Sequence, residues 1–264
     1  MNRNCTPHHM GKGKGLRAEM EGFKDSTEDR WHWDRDEAQR KIMHKIKERR
    51  PDAIFEAFSN SAPYYMTFSG CCGGHKDAWK DNLRPECYEE FAHYLVDVCK
   101  HYKEKYGIEF KTLDPFNEPN TNYWYAGGSQ EGCHFDFSSQ IAFLKVLHPI
   151  LQASGLRTVI SASDETSVMT SVKGFQAYQQ AGVLPLVGQW NTHTYEANDE
   201  ARIHLSQLCR EQKKHLWMSE VGAGGKGLDG NLRLAEKLNH DIRLLRPAAW
   251  LDWQYIEDNN DQWC

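Results

Sequence analysis

Residues 110–120 read FKTLDPFNEPN, and this stretch places an apolar segment directly before polar residues and a proline. A short apolar run bounded in this way is typical of a buried strand. Pro119 fixes the backbone and prevents a helix from continuing through this point. We therefore expect Glu118 to leave the carboxyl end of a strand, with Asn117 beside it.

Apolar segments of this kind recur along the chain. Five other apolar segments predict strands: 53–58, 158–162, 187–191, 215–218 and 248–253. Amphipathic helical patterns lie between them, such as Ala38, Ile42 and Ile46 behind a capping box at Asp34 and Glu37. Six strands alternating with helices predict an α/β protein with a parallel sheet.

Polar residues follow nearly every predicted strand, and their distribution separates two architectures. An open sheet concentrates such residues at one switch point, whereas a barrel collects them from many strands on one face. The strand-end residues are Ser59, Asn60, Asn117, Glu118, Asp164, Glu165, His193, Tyr195, Glu220 and Gln254. The pattern favours a (β/α)8 TIM barrel that is incomplete, with residues 1–264 as one partial catalytic domain.

Composition excludes several classes of function. The 264 residues carry a net charge of −5, which gives no indication of a nucleic-acid partner. No apolar run approaches the length of a membrane span, and no signal peptide is visible. The eight cysteines show no zinc spacing, so no metal and no cofactor are expected. Cys5, His8 and His9 lack a further ligand in the sequence, and residues 11–15 (GKGKG) fit a surface loop better than a phosphate site.

A second carboxylate ends the segment 216–222, which reads LWMSEVG. A lone Glu220 in a mostly apolar strand end is either paired in a salt bridge or functional, because an unpaired buried charge is costly. Retaining glycoside hydrolysis uses two carboxyl groups, one as acid/base and one as nucleophile. Glutamates at the ends of two strands of one barrel fit this requirement.

Several motifs together resemble glycoside hydrolase family 30, and within it the endo-β-1,6-galactanase-type branch. They occur in the family's order along the whole chain: IFEAFSNSAPYYMT at 54–67, NEP at 117–119, QEGCHF at 130–135, DET at 164–166, NTHTY at 191–195, Ser219-Glu220 and WLDWQ at 250–254.

The resemblance implies roles for individual residues. Glu118 is similar to the family's acid/base and Glu220 to its nucleophile, while Asn117 resembles the residue that binds the sugar 2-hydroxyl. Tyr195 is similar to a residue that orients the nucleophile. Sugar-binding positions are implied at His193, Asn60, Tyr65 and Trp253, and Trp124 is expected to bind substrate as an aromatic neighbour of Glu118.

The family pattern also implies that the chain lacks the first two barrel strands and the accessory β-sandwich. The expected substrate is a polysaccharide or oligosaccharide, the expected location extracellular or periplasmic, and the expected state a monomer. Other family specificities stay open (β-1,6-glucan, glucosylceramide or xylan), as does a carbohydrate-binding fragment without turnover. A Rossmann-type enzyme is disfavoured because no GxGxxG motif follows a strand.

Overall fold

The computed structural model describes residues 22–128, 130–222 and 227–254. Six strands and six α-helices alternate within these residues. In chain order they are α1 Glu37–Arg49, β1 Glu56–Phe58, α2 Tyr88–Tyr106, β2 Thr112–Asp114, α3 Phe137–Ala153, β3 Val159–Ser167, α4 Val168–Gln180, β4 Val187–Glu196, α5 Asp199–Glu211, β5 His215–Val221, α6 Gly227–His240 and β6 Ala249–Asp252.

The predicted alternation of strands and helices is confirmed, while the strand limits differ. β1 has three residues where six were expected, and β4 continues five residues beyond Asn191. Polar side chains such as His193 lie inside β4 and are buried, so hydropathy alone placed the end of this strand too early.

The chain forms two compact units, Met1–Ile160 and Ser161–Cys264. In the first unit β1 pairs with β2 and β2 with the start of β3, both in parallel. In the second unit β3 lies beside β4, and β4–β5 and β5–β6 are parallel pairs. Parallel strands joined by helices agree with part of a (β/α)8 barrel.

Aromatic rings fill the core of the first unit where α2 packs on α3. The ring of Phe143 lies 5.3 Å from Phe91, 5.6 Å from Tyr88 and 6.0 Å from Phe116. Burying each phenylalanine stabilises the fold by about 1.5–3 kcal/mol. This cluster lies beneath the segment that follows β2 and so supports the chain leading to Glu118.

In the second unit, Trp190 on β4 packs against α4. It is fully buried, its ring lies 4.8 Å from Phe175 and 5.4 Å from Tyr178, and its Nε1 donates to Ser171 Oγ at 2.9 Å. The indole therefore fixes α4 against β4, the strand that carries His193 and Tyr195.

The capping box predicted at Asp34 and Glu37 is wrong. Asp36 precedes α1 with a left-handed φ of 59° and ψ of 38°, and its side chain caps nothing. The guanidinium of Arg35 is buried and binds Asp25 through two nitrogens, which holds the chain at this point without a capping side chain. Ile42 and Ile46 are 60% and 42% exposed, so the expected apolar face of α1 is uncovered by the described residues.

The cysteines divide into two chemical states. Cys72 is disulfide-bonded, whereas Cys71, Cys87, Cys99, Cys133 and Cys209 are buried thiols. Burial raises the pKa of the Cys99 and Cys133 thiols to about 12, so both stay protonated and act as small buried hydrophobes. Cys5, His8, His9 and the loop 11–15 lie outside the described residues. None of the described helices has the length and hydropathy needed to cross a membrane.

Candidate active site

Glu118 lies in the first unit, on the segment that follows β2. The strand is fully buried, and Asp114 at its end accepts a 3.1 Å hydrogen bond from the backbone N–H of Phe116. Glu118 itself has a φ of 48° and is 8% exposed. A left-handed backbone at a residue other than glycine costs about 1–3 kcal/mol and is typical of functional sites.

Three neighbours hydrogen-bond to Glu118, one at its carboxylate and two at its backbone carbonyl. The hydroxyl of Tyr123 donates to Oε2 of its carboxylate at 2.5 Å. The indole Nε1 of Trp124 and the hydroxyl of Thr121 donate to its backbone carbonyl at 2.9 Å and 3.0 Å. The local chain 118–124 therefore folds back on the glutamate and fixes its orientation.

Trp124, predicted to bind substrate, is 3% exposed and packs against the backbone of Gly132. A Cβ at position 132 would lie 2.1 Å from the indole ring, so the glycine makes room for it. Trp124 supports the Glu118 backbone in this arrangement. Its contact with a sugar stays a prediction.

Asn117 precedes the glutamate and is 7% exposed. Its Oδ1 is buried and accepts no hydrogen bond from the part of the chain that the structure describes. Because a buried polar atom without a partner is costly, an amide left in this state is suited to a ligand hydroxyl.

Asn60 and Tyr65 follow β1 and are half-buried. The Tyr65 hydroxyl is buried and, within residues 22–128, 130–222 and 227–254, has no hydrogen-bond partner. Burial raises the pKa of this phenol, so it remains a neutral donor at physiological pH.

Glu220 lies in the second unit near the end of β5. The hydroxyl of Tyr195 donates to its Oε1 at 2.9 Å, and His193 Nδ1 lies 3.9 Å from the same oxygen. Both partners come from β4, where they are two residues apart and so share one face of the strand.

A bulge in β5 sets this pairing. Thr192 is in register with Met218 but His193 with Glu220, so Ser219 is the extra residue. A bulge redirects the side chains that follow it. Without the extra residue, Glu220 would stand opposite a different position of β4.

A buried polar network extends from His193 in the second unit. His193 Nε2 lies 3.5 Å from Asp164 Oδ1, and the hydroxyl of Ser219 donates to the same carboxylate oxygen. Asp164 is 3% exposed and has a left-handed φ of 50°. The order Asp164, His193, Glu220 links β3, β4 and β5.

The sequence placed Asp164 and Glu165 after a predicted strand, but both lie within β3. The side chain that caps α4 is Ser167, whose Oγ accepts from the Thr170 N–H at 3.5 Å. Asp164 instead pairs with His193 and Ser219. Only its place after a predicted strand signalled this role, because nothing in the sequence fixes which strands lie side by side.

Trp253 follows β6, and its backbone N–H donates to the carbonyl of Val221 at 3.0 Å. The peptide bond between Trp253 and Gln254 is cis. The tryptophan is half-buried, so part of the indole is open to solvent.

Two groups of side chains in the first unit bring metal-ligand atoms within 4.8 Å of one another: Asp25, Asp29 and His32, and Asp81, His134 and Asp136. The Asp25 carboxylate is bound by Arg35, and Asp81 accepts hydrogen bonds from His134, Ser139 and the Asp136 N–H. Asp81 thereby ties its loop to the start of α3, and Arg35 ties Asp25 to the segment before α1.

Comparison with known proteins assigns the chain to a family. Residues 11–184 match the family model of O-glycosyl hydrolase family 30. An endo-beta-1,6-galactanase of Hypocrea rufa is 33% identical over 251 residues, which cover 90% of this chain and 50% of the galactanase. An exo-beta-1,6-galactobiohydrolase of Bifidobacterium longum is 27% identical, over 77% of this chain and 16% of that protein.

Solved structures share the fold. A conserved exported protein from Bacteroides fragilis has a TM-score of 0.78 at 20% identity, over 88% of this chain and 54% of its own. The catalytic domain of the family 30 xylanase C from Talaromyces cellulolyticus has a TM-score of 0.66 at 16% identity, over 86% of this chain and 53% of its own. The chain spans half the length of the galactanase that it matches. On the family model and this sequence identity, the chain belongs to O-glycosyl hydrolase family 30, a family of glycoside hydrolases.

Proposed function

We propose that the chain is the catalytic part of a retaining endo-glycoside hydrolase that cleaves β-1,6-linked galactan, such as arabinogalactan side chains. The observation that carries the proposal is the hydrogen bond from Tyr195 to Oε1 of Glu220, which orients one strand-end carboxylate oxygen. The other oxygen of Glu220 is then directed for attack. The 33% identity to an endo-beta-1,6-galactanase supports the choice of glycan.

In a double-displacement mechanism the two glutamates have different roles. Oε of Glu220 attacks the anomeric carbon while Glu118 gives its proton to the glycosidic oxygen, so the leaving sugar departs as an alcohol. The resulting ester carries no charge on Glu220. Glu118, now a carboxylate, takes a proton from water, and the water oxygen displaces Glu220 with net retention. This chemistry requires carboxyl groups about 5–5.5 Å apart.

The surroundings of each glutamate suit these roles. Glu118 is 8% exposed, and its Oε2 receives the Tyr123 hydroxyl, which fixes the other carboxyl oxygen for proton transfer. Asn117 Oδ1 beside it, which receives no hydrogen bond from the described residues, is an acceptor for a sugar hydroxyl. The proposal treats residues 1–264 as one partial catalytic barrel and needs neither metal nor cofactor.

Hydrolysis of β-1,6-galactan by the full chain tests the proposal. Proton NMR of the first products should show the β-anomer, and Glu118→Gln and Glu220→Gln should each lower the turnover number by at least about a thousandfold. In Glu220→Ala, added azide should restore turnover and yield an α-galactosyl azide, because the anion attacks from the face that the missing carboxylate occupied. A first product with the α-anomer would exclude retention.

Product analysis separates the remaining specificities. Release of a range of oligosaccharides supports endo cleavage, and release of the disaccharide alone supports the exo-acting alternative named by the Bifidobacterium relative. Turnover of β-1,6-glucan, xylan or glucosylceramide in place of galactan would assign another specificity of the family. Binding of galactan without turnover would identify a carbohydrate-binding fragment.

We also infer an extracellular or periplasmic location. Cys72 is disulfide-bonded, and disulfides persist in oxidising compartments.

A further inference from the structure

Among the described residues of the first unit, the exposed aromatic side chains lie on two loops. The four most exposed Phe, Trp and Tyr residues among those that the structure describes are Phe68 at 55%, Trp79 at 65%, Tyr123 at 42% and Tyr125 at 44%. Scattered exposed apolar residues are ordinary, but a concentration of aromatic rings on neighbouring loops indicates a binding surface.

The two loops are joined to each other. His75 and Tyr125 form a parallel bridge, and the Ala126 N–H donates to the His75 carbonyl at 2.9 Å. A Cβ at Gly74 would lie 2.4 Å from the backbone of Trp124, so only glycine allows the loops to approach this closely. Phe68 continues the row, with its ring 6.3 Å from that of His75 and edge-on to it.

The loop that carries Phe68 is held by its own hydrogen bonds. The Phe68 N–H donates to the Asn82 carbonyl at 2.8 Å, and the fully buried Asn82 side chain donates to the Cys71 carbonyl at 2.7 Å. Ser69 Oγ donates to the Gly74 carbonyl at 2.7 Å. The ring of Phe68 is therefore presented to solvent by an ordered loop.

The row of rings is continuous with Glu118. Tyr123 and Tyr125 are exposed while Trp124 between them is buried, and the Tyr123 ring lies 4.6 Å from the Trp124 ring. Tyr123 also donates its hydroxyl to the Glu118 carboxylate. A ligand that reaches this carboxylate can extend over Tyr123 and Tyr125 toward Phe68.

We propose that Phe68, Tyr123 and Tyr125 form an aromatic platform that binds further pyranose residues of the glycan chain next to Glu118. The C–H-rich faces of pyranose rings stack on aromatic faces, and the tyrosine hydroxyls can bond to sugar hydroxyls. The proposal rests on the proposed function, because that function supplies the glycan. It makes the chain prefer long substrates to short ones.

Binding to a variant without turnover tests the platform. In the full chain carrying Glu220→Gln, isothermal titration with β-1,6-galacto-oligosaccharides of two to six residues should show affinity that rises with length. Adding Tyr125→Ala or Phe68→Ala should weaken binding of the hexamer about tenfold and leave the dimer within about twofold. Tyr125→Phe and Phe68→Tyr keep a ring and are the matched controls, expected within about threefold of the parent.

The outcomes separate the platform from the proposed function. If the alanine and ring-keeping variants bind the hexamer equally, or if the parent binds no oligosaccharide, the platform is overturned. If the native chain hydrolyses no glycan but hexamer binding still depends on Tyr125 and Phe68, the platform stands and the hydrolase proposal fails. A thermal melt of each variant identifies loss of fold. If the Tyr125 variants do not fold, the comparison of Phe68→Ala with Phe68→Tyr still tests the platform, and the reverse also holds.

Discussion

The hydroxyl of Tyr195 donates a 2.9 Å hydrogen bond to Oε1 of Glu220, across neighbouring strands β4 and β5. The bond depends on the bulge at Ser219, which brings Glu220 opposite His193. A carboxylate held in this way keeps one orientation before substrate arrives. The pair therefore gives the first test of the proposed nucleophile.

Tyr195→Phe removes the donor and keeps the ring. Because a hydrogen bond to a charged group contributes about 1.5–3 kcal/mol, we expect kcat/KM on β-1,6-galactan to fall about 10- to 150-fold. The melting temperature should change little. Tyr106→Phe, at the end of α2, is a matched control and should keep full activity. Equal activity of the two variants would remove Glu220 from the role of an oriented nucleophile.

We expect replacement of Asp241 to lower the stability of the fold strongly. It is fully buried and accepts hydrogen bonds from Thr194 Oγ1 at 2.8 Å, Arg202 Nε at 2.8 Å and Trp250 Nε1 at 3.0 Å. Asp241→Ala leaves the buried guanidinium of Arg202 without this partner, so we expect a loss of about 3–5 kcal/mol in the free energy of unfolding, measured in urea. Asp229→Ala on the exposed side of α6 should stay within about 0.5 kcal/mol. Similar midpoints for both variants would show that Asp241 is dispensable.

The number and type of elements could be predicted from the sequence because hydrophobic period and strand-end polarity are local signals. Glu118 and Glu220 were selected as candidates for the same reason: each carboxylate stands at the end of an apolar run. The start of α1 could not be predicted, since the Arg35–Asp25 pair that holds it joins residues ten apart through side chains.

Pairing between strands lay beyond the sequence for a different reason. The bulge at Ser219 and the contact of Asp164 with His193 depend on the register of strands that lie far apart in the chain. A one-residue change of register exchanges the faces of a strand, and no local pattern fixes it. The supporting residues of the site therefore became visible only in three dimensions.

Gly132 tests the support beneath Glu118. Gly132→Ala places a methyl group 2.1 Å from the Trp124 indole, which must move and weaken its 2.9 Å bond to the Glu118 carbonyl. Overpacking of this kind costs about 1–3 kcal/mol, and we expect a lower melting temperature together with reduced turnover. Trp124→Ala removes the ring atoms that face position 132, so in a chain carrying it Gly132→Ala should lower the melting temperature much less than in the native chain. An equal loss in both backgrounds would contradict this steric account.

We expect the ionisation of Glu109 to make the stability of the first unit depend on pH. Hydrogen bonds from Arg157 and Lys103 lower its pKa to about 2 from an ordinary value of 4.5. Because the folded-state pKa is lowered, the contribution is complete above about pH 4.5 and is lost as the pH falls toward 2. Arg157 is largely exposed, so the contribution at neutral pH should be below about 1 kcal/mol. Urea unfolding of Glu109→Gln should show this deficit at pH 7 and much less of it at pH 3, whereas Glu104→Gln, exposed on α2, should show no such change. A deficit that grows on acidification would mean that the ion pairs of Glu109 do not stabilise the fold.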